Sequence, residues 1–138
     1  MRKNLRIEDM GDLLERPILA ILATRRKSGD TLLSPVWHEW SSGGFSIVTW
    51  ANDVKSKNIQ TEPRVTVLVA ETEPPYRSLE VTAEAKLLPI EDPMPLLKRM
   101  GRRYRGEVGE SYVEGYRGVA MELIRVEPGL VRAWDFSS

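Results

Sequence analysis

The chain has 138 residues, the size of one compact domain, and with 41% hydrophobic and 29% charged residues it can bury a core. Lys+Arg and Asp+Glu both number 20, so the basic excess of a dedicated nucleic-acid binder is missing. Without cysteine and with His38 as the one histidine, disulfides, thiolate-held zinc, iron–sulfur clusters, thiol catalysis and multi-histidine metal sites are excluded.

Met1–Asp9 mixes Arg, Lys and acids without an apolar segment, so it does not read as a signal peptide, and the run Ile18–Ala23 is too short to span a bilayer. The expected location is the cytoplasm. Ile7, Met10, Leu13 and Leu14 fall at helical spacing and predict a short helix over Arg6–Arg16, stopped near Pro17. Ile18–Arg25 reads as a buried strand, Lys27–Asp30 as a turn and Leu32–Trp40 as a second strand closing a hairpin. After the turn Ser41–Gly44, Phe45–Trp50 is a third strand. Asn52-Asp53 reads as a helix N-cap before a short helix over Val54–Thr61, and Arg64–Ala70 is again a strand.

Glu73–Tyr76 reads as a loop. Ser78–Leu88 follows as a long strand, with Leu79, Val81, Ala83 and Ala85 on one face and Glu80, Thr82, Glu84 and Lys86 on the other. Asp92-Pro93 opens a helix whose inner face carries Leu97, Met100 (or Gly101) and Tyr104, and a second helical piece covers Gly109–Arg117. Val119–Val126 and Leu130–Phe136 are the last strands, joined by Glu127–Gly129. The fold class expected is mainly β: an antiparallel barrel of six to seven strands with short helices across its ends, in one domain over residues 1–138. No G-x-G-x-x-G or G-x-x-x-x-G-K-[ST] occurs, so neither a Rossmann nor a P-loop argument is available.

Five segments could carry chemistry. Trp50–Asn58 ends a strand, supplies an Asn/Asp cap and starts a basic helix; free backbone N–H groups and the positive dipole end suit a phosphate. Lys55 and Asn58 share a helix face, whereas Lys57 points elsewhere unless the first turn is distorted. The same spacing also describes a solvated basic helix with an ordinary cap. In Ser34–Trp40, Pro35 marks an edge, bulge or bend where a planar ligand can meet exposed backbone. His38 there reads as a surface or interface residue, or alternatively as an acid/base group, and Trp40 as core.

Pro74–Ser78 is a rigid loop entering a strand, with a stacking Tyr76 and an Arg77 able to pair with phosphate or carboxylate. Lys98–Arg105 carries five basic residues in eight; it could meet an acidic ligand tail or nucleic acid, but Glu107, Glu110 and Glu114 follow at once and balance it. Val131–Phe136 places Arg132 and Trp134 on a terminal strand suited to a subunit interface or to closing the chain's own barrel.

Taken in order, Leu19–Thr24, Ser34–Trp37, Asp53–Asn58 with Glu62–Val65, Pro74–Ser78 and Val131–Asp135 resemble the pyridoxamine-phosphate-oxidase-like split β-barrel proteins, and more narrowly their small deazaflavin-dependent branch. The resemblance spans nearly the whole chain. It implies a homodimer with two cofactor sites at the subunit interface, a small-molecule substrate, and neither nucleic acid nor membrane as partner. The ring system would lie against Ser34, Pro35, Val36 and Trp37, and the phosphate would be held by Thr49, Trp50 and Ala51 with Lys55, Lys57 and Asn58. Tyr76, Arg77 and Ser78 would border the site, and Trp134 would come from the partner chain. Asp53 departs from the pattern, because an acid there weakens phosphate affinity.

The activity implied is hydride transfer between coenzyme F420 and a small organic substrate, with FMN on the same barrel and a carrier without turnover as the alternatives. No protein nucleophile is needed for such chemistry, and no catalytic residue or metal ligand is assigned.

Overall fold

The computed structural model describes residues 1–137. Among the described residues nine strands form two antiparallel sheets: β1 (Ala20–Arg25), β2 (Thr31–Val36), β5 (Arg64–Ala70), β6 (Ser78–Glu84) and β9 (Leu130–Trp134) in the order β2-β1-β5-β6-β9, and β3 (Glu39–Ser41), β4 (Gly44–Trp50), β7 (Lys86–Pro89) and β8 (Met121–Val126) in the order β3-β4-β8-β7. The helices are α1 (Val54–Thr61), α2 (Met94–Arg105) and α3 (Gly109–Glu114). This is the mainly β, split-barrel class expected from the sequence.

Two expected strands are each broken into two, which raises the count to nine. Leu32–Trp40 breaks at Trp37-His38, and Ser78–Leu88 breaks at Ala85; at both places the chain leaves the first sheet for the second. Backbone polar groups at such corners need partners outside the ladder. Side chains of α2 serve the first corner: the His38 N–H donates to the Tyr104 hydroxyl at 3.2 Å, and Arg103 donates to the His38 carbonyl at 2.5 Å. At the second, the Ala85 N–H donates to the Pro63 carbonyl at 2.8 Å. Pro35, which lacks a donor, already weakens the ladder just before the first corner.

The helix expected over Arg6–Arg16 is instead a 3-10 turn over Ile7–Met10 followed by further turns. Gly11 ends it with φ at +58°, a conformation open to glycine and costly to other residues. Met10, Leu13 and Leu14 nevertheless enter the main core, where Leu22, Phe45, Ile47, Val67, Leu79, Val81 and Ile124 are fully buried. The sequence periodicity thus marked the buried side correctly while overestimating the helix.

A second, smaller core of Met94, Leu97, Val113 and Met121 seats α2 and α3 near β4, with Trp37, Val48 and Tyr116 packed against it. The helices cross at two glycines. A Cβ on Gly109 would stand 1.9 Å from the Gly101 carbonyl oxygen, and one on Gly101 would stand 2.6 Å from that of Gly109. No helix among the described residues is long and apolar enough to cross a membrane.

Candidate functional site: an aromatic cleft ending at the start of helix α1

Above the second core lies an open cleft of about 300 Å³. One side is the end of β2 and the corner after it, with Pro35, Val36 and Trp37; the floor is Val48, Thr49 and Trp50 of β4; and α2 and α3 supply Leu97, Met100, Tyr112 and Val113, followed by Tyr116. The broken strand explains why neighbours in sequence meet one space: regular alternation would send Val36 and Trp37 to opposite faces, and the corner removes that constraint.

Aromatic rings support one another around the cleft. Trp37 stacks on Tyr104 with centroids 5.2 Å apart and planes 4° apart, and meets Tyr112 at 6.0 Å. Tyr112 contacts Tyr116 edge to face at 5.8 Å, their hydroxyls 3.2 Å apart, and Trp50 lies 6.3 Å from Tyr116. The hydrogen bond it shares with Tyr112 raises the Tyr116 phenol above its ordinary range, and burial does the same to Tyr104. Apolar walls with few polar groups are the usual lining of a small-ligand site.

The polar end of the cleft is the start of α1. Asp53 caps that helix: its carboxylate accepts from the Val54 N–H at 2.6 Å, from the Thr49 hydroxyl at 3.1 Å and from Lys55 Nζ at 2.7 Å. The hydrogen bond from Lys55, followed by those from Val54 and Thr49, holds the carboxyl below its usual range against the opposing cost of burial. The N–H groups of Ala51, Asn52 and Asp53 are also engaged, with the Ala120 carbonyl, the Glu122 carboxylate and the Trp50 carbonyl.

Of the residues singled out from the sequence, Pro35, Val36, Trp37, Thr49, Trp50 and Lys55 line this cleft. The others are placed elsewhere. Ser34 pairs with Leu22 in the β1–β2 ladder, and Ala51 is hydrogen-bonded to Ala120. Asn58 is buried and donates to the Thr24 hydroxyl at 3.1 Å, anchoring α1 to β1, while Lys57 faces solvent as regular helical spacing requires. Arg77 grips the buried Glu71 through Nε and Nη2, both at 2.8 Å, and also reaches the Met10 carbonyl and Asp12. Tyr76, Ser78 and Trp134 gather on a separate face: Ser78 pairs with Trp134 across β6–β9, and Tyr76 meets Phe136 edge to face.

His38 is fully buried, which corrects the surface or interface position expected of it. It lies edge-on to Phe45 and Tyr104, and neither ring nitrogen has a hydrogen-bond partner among the described residues. Burial first, and the nearby Arg103 charge second, lower its pKa to about 4. The basic segment Lys98–Arg105 is tied up inside the chain: Lys98 pairs with Glu114, Arg99 with Glu39 and Arg102 with Glu110, Arg103 donates to three carbonyls, and Arg105 lies over the Tyr112 ring. The balancing acids are thus Glu39, Glu110 and Glu114, with Glu39 in the place expected of Glu107.

Leu97, Met100, Tyr112, Val113, Tyr116 and Met121 of the lining were not singled out as site residues. The helical spacing of Leu97, Met100, Tyr112, Val113 and Tyr116 marks a buried face, which only the crossing of α2 and α3 turns toward a cleft, and Met121 enters as the first residue of β8, paired with Trp50.

Two sheets that share a core and exchange strands at two corners, with an aromatic cleft at the end of β4, define a split β-barrel able to take a flat ligand. The family model of pyridoxamine 5'-phosphate oxidase matches residues 7–135, and the chain belongs to that family. A search of curated proteins finds no match. Among solved structures, a conserved hypothetical protein from Mycobacterium tuberculosis is similar at 22% identity and a TM-score of 0.74, over 96% of this chain and 86% of that one. A protein named F420 reductase is similar at 26% identity and a TM-score of 0.70, over 87% and 93%. An FAD-binding protein from Mesorhizobium loti is similar at 17% identity and a TM-score of 0.70, over 99% and 97%.

The cleft fits a flavin-like ring on its own geometry. Its apolar walls are aromatic on two sides, and its volume is at the lower end for ligand sites, of the size a flat ring system needs.

Proposed function

We propose that the chain is an oxidoreductase that uses the deazaflavin coenzyme F420 to act on a small organic substrate. The observation that carries this reading is the cleft in which Trp37, Tyr112, Tyr116 and Trp50 surround an apolar space with Lys55 at its polar end. The likeness to a protein named F420 reductase supports the deazaflavin over other flat cofactors. When bound, the cofactor supplies the hydride chemistry.

The chain's own residues do the rest. Trp37 and Tyr112 would hold the ring by aromatic contacts, Val48 and Met100 would exclude water from it, and Lys55 would offer a cation to an anionic tail. The Tyr112 and Tyr116 hydroxyls lie within hydrogen-bonding reach of each other at the cleft and can orient a substrate's polar group.

The reading includes a second copy of the chain. Tyr76 and Trp134 lie away from the cleft, beside the buried Ser78, and a partner in a homodimer would bring that face to the rim of the cleft. The second reading is FMN, another flat flavin, on the same barrel. Fluorescence titration separates the two. Quenching of F420 at micromolar protein supports the proposal, and Lys55→Ala should weaken that binding by about 1–3 kcal/mol, the loss of a charged hydrogen bond. No F420 binding at tens of micromolar together with tight FMN binding rejects the deazaflavin.

A further inference from the structure

We propose that Asp53 is a specificity-determining residue of the cleft: it disfavours a flat ligand whose tail ends at this corner in a phosphomonoester and accepts one that places a hydroxyl or a phosphodiester there. The inference rests on the cleft as a flat-ligand site and adds which tail it takes.

Three donors converge at the polar end of the cleft: the Val54 N–H, the Thr49 hydroxyl and Lys55 Nζ. A helix start carrying such groups is an anion site in its own right. Here the anion is part of the protein, because the Asp53 carboxylate accepts from all three, at 2.6, 3.1 and 2.7 Å. Asp53 and Lys55 are also the charged residues among those lining the cleft, so the formal charge of the lining is zero.

A phosphomonoester carries about 1.5 to 2 negative charges at neutral pH. At this corner it would have to displace Asp53 from its donors, or lie beside a carboxylate with one lysine shared between two anions. A diester carries one charge and can pass the corner without ending there; an alcohol carries none and can donate to the carboxylate. The cost therefore rises in the order hydroxyl, diester, monoester.

Riboflavin and FMN share a ring and differ by that phosphate, which makes them the probes. Asn caps a helix about as well as Asp, so Asp53→Asn removes the charge and keeps the fold. Both ligands are titrated against the wild type and D53N by flavin fluorescence, with melting temperatures as the check on folding. The wild type should bind riboflavin at least as tightly as FMN. D53N should tighten FMN about tenfold and move riboflavin less than about twofold. Asp53→Ser, a smaller neutral cap, should reproduce the change in the FMN-to-riboflavin ratio.

Wild-type protein that prefers FMN tenfold, or a D53N variant that shifts both ligands alike, overturns the inference. Failure of both flavins to bind either variant overturns it as well, while the F420 titration judges the proposed function separately.

Discussion

The Trp37 indole lies flat on the Tyr104 phenol ring, 5.2 Å between centroids and 4° between planes, so the cleft's main aromatic wall is backed by a residue of α2. The Tyr104 hydroxyl in turn donates to the Ile18 carbonyl at 2.8 Å and accepts from the His38 N–H at 3.2 Å. Tyr104→Phe keeps the stack and strands both backbone groups, so it should cost about 1–3 kcal/mol in urea unfolding while changing ligand affinity by less than about threefold. Trp37→Leu should do the reverse, with a loss of about tenfold or more in affinity from the missing ring contact.

The buried carboxylate of Glu71 is held by Arg77 on one side and Arg16 on the other. Hydrogen bonds from Arg77 lower its pKa from 4.5 to about 2 despite the cost of burial. Its stabilisation is therefore complete above pH 4.5 and fades as the pH falls toward 2. Arg77→Met should destabilise the fold by about 3–5 kcal/mol at pH 7, because it strips the main partner from a buried charge. A variant that folds as well as the wild type, measured by denaturant midpoint, would show that the cluster contributes nothing.

His38 gives a separate acid sensitivity. With its folded pKa lowered from 6.5 to about 4, the unfolded chain binds the extra proton first as the pH falls. Stability should decline from pH 6.5 to pH 4 by up to about 3 kcal/mol and lose no more from this residue below that. His38→Phe keeps a ring against Phe45 and removes the titration. Urea midpoints at pH 7 and pH 4.5 should differ clearly in the wild type and much less in the variant.

The crossing of α2 and α3 tests how the cleft wall is held. At Gly109 an added methyl would meet the Gly101 carbonyl at 1.9 Å, so the helices must separate to admit it. Gly109→Ala should cost at least about 1–3 kcal/mol and weaken ligand binding, since Tyr112 and Val113 ride on α3. Unchanged affinity would detach α3 from ligand binding.

The sequence was most informative where one local rule acted alone. The Asp53 cap, the length of α1 and the solvent-facing Lys57 follow from helix geometry, and the seven expected strands all have a counterpart, two of them broken at the corners. Pro35 announced a bend near the first corner, but the change of sheet at either corner was not readable, because nothing local announces that Arg103 and Tyr104, more than sixty residues on, will satisfy the backbone at His38. The same gap explains the site. Pro35 to Trp37 and Thr49 to Lys55 stood out by their chemistry, whereas Tyr112 and Tyr116 became wall residues only through a helix crossing that depends on two glycines. Arg77 looked like a ligand-binding residue because its partner Glu71 precedes the loop and carries no motif.

The most direct measurement is a crystal structure of the protein with bound F420. The deazaflavin ring should lie in the aromatic cleft against Trp37 and Tyr112 and over Val48, with its tail leaving past Lys55. A ring bound away from these residues, with the aromatic cleft empty, would contradict the assignment of this cleft as the cofactor site.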